Sequence, residues 1–212
     1  MKDNVLKIMG ECNDDCTLIA VSKTKSVSMI KEVYDLGVRD FGENKVQELL
    51  SKKPELPEDI RWHMIGHLQT NKVKDVVGNV YLIHSVDSLK LAHEIEKVAL
   101  KKDVTVDILC EINIANEESK YGFKASEIEQ AIKEIKELKN INLRGLMCVA
   151  PYQDDPEDNR KYFKQMKELK DKYNLELLSM GMSNDYKVAL SEGSNYIRVG
   201  TLIFGERDYG TN

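Results

Sequence analysis

Short apolar runs rich in β-branched residues alternate with stretches in which apolar positions recur every three or four residues. The first pattern predicts buried strands and the second predicts helices packed against them by one face. The predicted strands are Leu18–Ser22, Val38–Gly42, Trp62–Ile65, Val80–His84, Val104–Ile112, Leu143–Val149, Leu175–Ser179 and Tyr196–Val199. Between them the helical period runs through Ser28–Leu36, Asn44–Leu50, a stretch carrying Leu91, Ala92, Ile95, Val98 and Ala99, and the segments Asp158–Tyr173 and Asp185–Ser191. Asp87 reads as a cap for the helix through Leu91, and Ser126 with Glu129 as a capping box ahead of Ile128, Ala131, Ile132 and Ile135.

Strict strand–helix alternation implies a parallel sheet, and eight such units imply closure into a (β/α)8 barrel. The alternative is an open doubly wound sheet, but no Gly-rich dinucleotide fingerprint follows the first strand. At 212 residues the chain is nearly all barrel, with no room for a second domain. The expected organisation is one domain over residues 1–212, with a short helix before the first strand.

Composition narrows the classes little further. A net charge of −5 argues against broad binding to a nucleic-acid backbone. The longest run without a charged side chain has 11 residues, Val76–Val86, too short to span a membrane. The N-terminus lacks the pattern of a signal peptide, so a cytoplasmic location is expected. Cys12, Cys16, Cys110 and Cys148 are too scattered for a disulfide framework and read as free thiols. His63 and His67 have the spacing of a helical metal pair, but they lie in a strand pattern with Gly66 between them, so no metal is expected.

Barrels of this type gather their chemistry at the carboxyl ends of the strands. Lys23 follows the first strand, Gly42-Glu43-Asn44 the second and Gly66-His67 the third. Ser183 follows the seventh, while Arg198, Gly200 and Thr201 end the eighth. A cation closing an apolar run is expensive to desolvate, and a neighbouring cation such as Lys25 further disfavours its charged form. A neutral amine attacks aldehydes, which makes Lys23 a candidate Schiff-base residue; a solvated lysine opening a loop is the alternative. The loops after strands seven and eight are the usual phosphate site of the fold, where Ser183 and Thr201 can donate hydroxyls and Gly200 admits close approach. Tight turns are the other reading of these glycines. Arg198 points either to a structural carboxylate or to a cofactor ring nitrogen, which its permanent charge would keep unprotonated.

Six segments sharpen this picture. Ala20–Lys25 (AVSKTK), Phe41–Glu48 (FGENKVQE), Trp62–Lys72 (WHMIGHLQTNK), Arg144–Met147, Ser179–Ser183 (SMGMS) and Arg198–Gly205 (RVGTLIFG) together resemble the pyridoxal phosphate (PLP) homeostasis proteins, in order and over nearly the whole chain. The resemblance implies a fold-type III PLP-binding barrel, like the N-terminal domain of bacterial alanine racemase. It implies that Lys23 carries PLP as a Schiff base, with Ser183, Gly200 and Thr201 at the phosphate, Arg198 near the pyridine nitrogen and Asn44 near the ring. Lys45 departs from the family pattern, which commonly has Tyr after Gly-Glu-Asn. The family role implies a cytoplasmic monomer that maintains the PLP pool without significant turnover, with apo-PLP enzymes as possible recipients. A PLP-dependent racemase and a PLP-free Schiff-base aldolase acting on sugar phosphates are the competing readings.

Overall fold

The computed structural model describes residues 1–206. Eight strands form a closed parallel barrel in sequence order: β1 Thr17–Val21, β2 Asp40–Glu43, β3 Arg61–Met64, β4 Leu82–Val86, β5 Val106–Glu111, β6 Ile141–Met147, β7 Leu177–Ser179 and β8 Tyr196–Val199. Closure is direct, with Thr17 to Ala20 of β1 paired in register with Tyr196 to Val199 of β8. The expected (β/α)8 barrel is therefore the fold, and the open sheet is ruled out.

The helices are α1 Lys2–Glu11, α2 Val27–Asp35, α3 Val46–Lys52, α4 Val73–Val76, α5 Leu89–Lys102, α6 Ile128–Lys136, α7 Arg160–Lys172, α8 Tyr186–Ser191 and α9 Thr201–Phe204. Their apolar stripes cover the outside of the sheet. Ile30 and Val33 of α2, Ile95 and Ala99 of α5, Ile135 of α6 and Phe163 and Met166 of α7 are fully buried. Gly145 of β6 sits so close to β7 that an added Cβ would lie 2.9 Å from Leu177 Cα, so only glycine fits there.

Two expected caps are replaced. Ser88, not Asp87, caps α5, its Oγ accepting from Leu91 N at 3.1 Å. Asp87 is free to receive His67 instead, with Nδ1 to Oδ2 at 2.9 Å. The Ser126–Glu129 box does not form, because α6 begins one residue late, at Ile128, with Glu127 in the N-cap position. Glu127 turns back to accept from Lys124 N at 2.9 Å, and Ser126 falls within the turn before the helix.

Inside the barrel the parity of the strands brings polar groups together. His63, His84, Ser179 and Arg198 hydrogen-bond in sequence across the lumen, the two imidazoles against the ring of Tyr196, while Leu82, Leu109 and Met147 form a small separate apolar cluster. A wholly apolar interior is the commoner filling of such barrels.

Candidate functional site at the barrel mouth

Lys23 is half-buried at the end of β1, where the chain turns sharply. Lys25 N donates to Ser22 O at 3.0 Å, and Thr24 adopts a left-handed φ of 65° between them. That conformation is costly for a β-branched residue, and Thr24 N is held by the Glu48 carboxylate from α3. The turn is fixed from below as well. Ser22 Oγ donates to Glu43 Oε1 at 2.7 Å, and Lys52 Nζ donates to Ser22 O at 2.7 Å. Burial pushes the Glu43 carboxyl above its ordinary value, against the pull of Lys52.

Lys23 opens onto a pocket of about 340 Å³ lined also by Lys25, Ser183, Asn184, Arg198, Gly200 and Thr201. The β7–α8 loop that carries Ser183 is shaped by Gly181 and Asp185. Gly181 has φ 98°, and a Cβ there would meet Ala189 Cβ at 2.6 Å. Asp185 accepts from Met182 N at 2.8 Å and from Asn159 Nδ2 at 2.9 Å. Asp185 thus ties the loop together while also lining the pocket. Gly200 packs close to β1, where a Cβ would lie 3.3 Å from Val21 Cβ.

Arg198 is 3% exposed and has two fixed partners, Ser179 Oγ at 2.7 Å from Nη1 and Cys148 O at 2.8 Å from Nη2. Desolvation lowers its proton affinity, yet a guanidinium stays charged at neutral pH. Glu111, at the end of β5, is 9% exposed. Burial and the neighbouring Asp87 charge push its carboxyl up to about 7, and Arg198 pulls the other way.

Five of the six residues singled out in the sequence therefore share one pocket: Lys23, Ser183, Arg198, Gly200 and Thr201. Asn44 does not line it. Its buried Oδ1 accepts no hydrogen bond, and its backbone is pressed against Gly66, where an added Cβ would come within 2.6 Å of Asn44 Cα. Lys45 is exposed at the N-terminus of α3 and also lies outside the lining. His63 and His67 diverge: His63 bonds Asp40 and His84 inside the barrel, and His67 stacks on Tyr121 with ring centroids 3.8 Å apart. The four cysteines are free thiols.

Two amines, a guanidinium, three hydroxyls and a side-chain amide outnumber the single carboxylate, Asp185, around one pocket and make a donor set for a phosphorylated, anionic carbonyl compound, in a chain whose overall charge is −5. The chain matches the alanine racemase N-terminal domain family over residues 1–208. A pyridoxal phosphate homeostasis protein of Aquifex aeolicus is 46% identical over 207 residues, covering 94% of this chain and 91% of the relative. This chain belongs to the pyridoxal phosphate homeostasis protein family. A homeostasis protein of Pseudomonas aeruginosa is 37% identical over 196 residues, covering 91% of this chain and 85% of its own length. Among solved structures, PipY of Synechococcus elongatus without PLP superposes with a TM-score of 0.90 at 33% identity, over 96% of this chain and 99% of that one. The PLP-bound form of PipY superposes with a TM-score of 0.88. Among the described residues, no helix is long and apolar enough to cross a membrane.

Lys52 and Glu48, which brace the Lys23 turn together with Glu43, carry no signal in the sequence, and Glu43 stands out there only as part of the Gly42-Glu43-Asn44 strand end. The one available signal was an acidic residue closing β2 directly before an asparagine.

Proposed function

We propose that this homeostasis protein binds PLP in the barrel mouth through Lys23 and serves the PLP pool without significant turnover. The observation that carries the reading is the position of Lys23. It is a half-buried amine at a carboxyl end of the barrel, in the same pocket as Ser183, Thr201 and Arg198.

Each residue has a role its chemistry allows. Lys23 Nζ, which shares the pocket with Lys25 and Arg198, would form the covalent link to the aldehyde. The Ser183 and Thr201 hydroxyls would donate to phosphate oxygens, while Gly200 lets the backbone approach. Arg198, held by Ser179 and Cys148, would direct a guanidinium edge to the ring nitrogen and keep that nitrogen free of a proton. Asn44 is assigned to the ring by its sequence motif, with its unpartnered Oδ1 as the atom to satisfy.

Bound PLP supplies an electrophilic aldehyde and a ring that withdraws electrons. A permanently charged arginine at the ring nitrogen weakens that withdrawal, because the nitrogen stays unprotonated. Holding and releasing the cofactor therefore fits this mouth better than racemisation. The same reading has the protein act in the cytoplasm as a monomer, with apo-PLP enzymes as recipients and with no nucleic acid or membrane as partner.

Titration with PLP followed by visible absorption tests the reading. The parent should gain a yellow band and Lys23→Ala should not, with the far-ultraviolet circular dichroism of the two unchanged. A colourless parent would reject it.

A further inference from the structure

A chain of buried hydrogen bonds runs from the barrel mouth to its opposite end. Arg198 Nη1 donates to Ser179 Oγ at 2.7 Å, and Ser179 Oγ lies 2.8 Å from His84 Nδ1. His84 Nε2 lies 2.8 Å from His63 Nδ1, and His63 Nε2 lies 2.8 Å from Asp40 Oδ1. Asp40 is gripped by Arg61, with Nη2 to Oδ2 at 2.6 Å and Nε to Oδ1 at 3.0 Å. His63, His84 and Ser179 are 0% exposed, while the Arg61 side chain is 46% exposed at the far rim. The link between His84 and Ser179 joins β4 to β7 across the lumen, between strands that are not neighbours.

The direction of every bond follows from its ends. Arg198 can only donate, so Ser179 accepts from it; with Asp40 as an acceptor and both imidazoles neutral, His84 Nδ1 is bare and the Ser179 hydroxyl gives it its hydrogen. His84 then carries its hydrogen on Nε2 and gives it to His63 Nδ1. His63 in turn carries its hydrogen on Nε2 and gives it to the Asp40 carboxylate. Two neutral imidazoles and one ionised aspartate satisfy all these atoms with no hydrogen left over. Burial lowers the proton affinity of both histidines, which keeps them neutral, and His63 and Arg61 hold the Asp40 carboxyl below its ordinary range.

We propose that His84 and His63 are positioning residues for the cofactor site: anchored on Asp40, they orient the Ser179 hydroxyl so that its lone pair faces Arg198 and fixes the guanidinium in the mouth. Reversed tautomers would turn the His63 Nε2 lone pair onto the Asp40 carboxylate, which is repulsive. The order therefore starts at Asp40 and is passed upward. The inference rests on the mouth being a PLP site, but the chain itself is a property of the protein without ligand.

Two measurements test it. Long-range proton–nitrogen correlation spectra of histidine-labelled, PLP-free protein at neutral pH should show His63 and His84 both protonated on Nε2 and bare on Nδ1. An Nδ1–H tautomer or a charged ring at His84 would overturn the inference, whatever PLP does. Then His84→Phe, which keeps the ring but neither nitrogen, should broaden the Arg198 guanidinium signals in the PLP-free protein. It should also weaken PLP binding about tenfold, as expected for one charge-assisted hydrogen bond. His84→Asn, whose amide oxygen replaces the Nδ1 acceptor, should recover most of both. Parental PLP affinity and sharp Arg198 signals in His84→Phe would refute the positioning role. A parent that binds no PLP would instead reject the reading of the site while the tautomer result stands.

Discussion

Lys52 Nζ lies 2.8 Å from Glu43 Oε1, with the two side chains 8% and 0% exposed. The same ammonium donates to Glu48 Oε1 at 2.7 Å and to the carbonyl of Ser22, the residue before Lys23. One buried cation thus joins β2, α3 and the turn that presents the pocket amine. Its partner Glu43 also has Oε2 without a hydrogen bond, so the cluster has no donor to spare.

Removing the cation should therefore cost more than removing the pair. Lys52→Met leaves Glu43 buried and unmatched and should destabilise the fold by about 3–5 kcal/mol. Adding Glu43→Gln to it should recover a large part of that loss. Urea denaturation of the parent, single and double variants at neutral pH checks this, and additive losses would contradict it.

Glu111 makes the stability depend on pH. Its carboxyl is raised from the ordinary 4.5 to about 7, so between those values the folded protein keeps a proton that the unfolded chain gives up. Stability is accordingly lost as pH rises through this window and stays lost above it. Glu111→Gln removes the cost. The variant should exceed the parent at pH 8 by up to about 3 kcal/mol, with the gap closing at pH 4. Thermal denaturation at the two pH values is the measurement, and an equal gap at both would contradict it.

Gly66→Ala tests the contact behind the site. The new Cβ would reach within 2.6 Å of Asn44 Cα, so one of the two backbone segments would have to shift. A loss of about 1–3 kcal/mol is expected, the range for overpacking. Parental stability in the variant would show that the β2–α3 connection can move.

The barrel was legible because eight alternations leave few topologies, and β8 even has the bounds read from the sequence. Strand ends were less legible. β4 runs Leu82–Val86 rather than Val80–His84, and β6 begins at Ile141 rather than Leu143. Strands covered on both faces carry apolar runs without phase, so nothing in the sequence marks where pairing starts. The shift hid His84, which resembled a strand terminus and lies in the middle of β4. Lys52 was hidden differently: beside Lys53 at the end of a helix it has the look of a solvated, dipole-matching lysine. Only the fold reveals that it turns inward to Glu43.

Within the pocket, Thr201→Ala should loosen PLP about tenfold, the loss of one hydrogen bond to a charged phosphate. Equilibrium dialysis measures it, and unchanged retention would remove Thr201 from the phosphate site. Incubation of the PLP-loaded protein with single L-amino acids in deuterium oxide should leave the α-proton in place on the time scale of turnover. Rapid exchange would favour the racemase reading.

Reduction of the PLP-loaded protein with borohydride, followed by peptide mapping, addresses the covalent assignment most directly. The phosphopyridoxyl mass should appear on Lys23 alone. Its appearance on Lys25 or elsewhere, with Lys23 unmodified, would contradict the account.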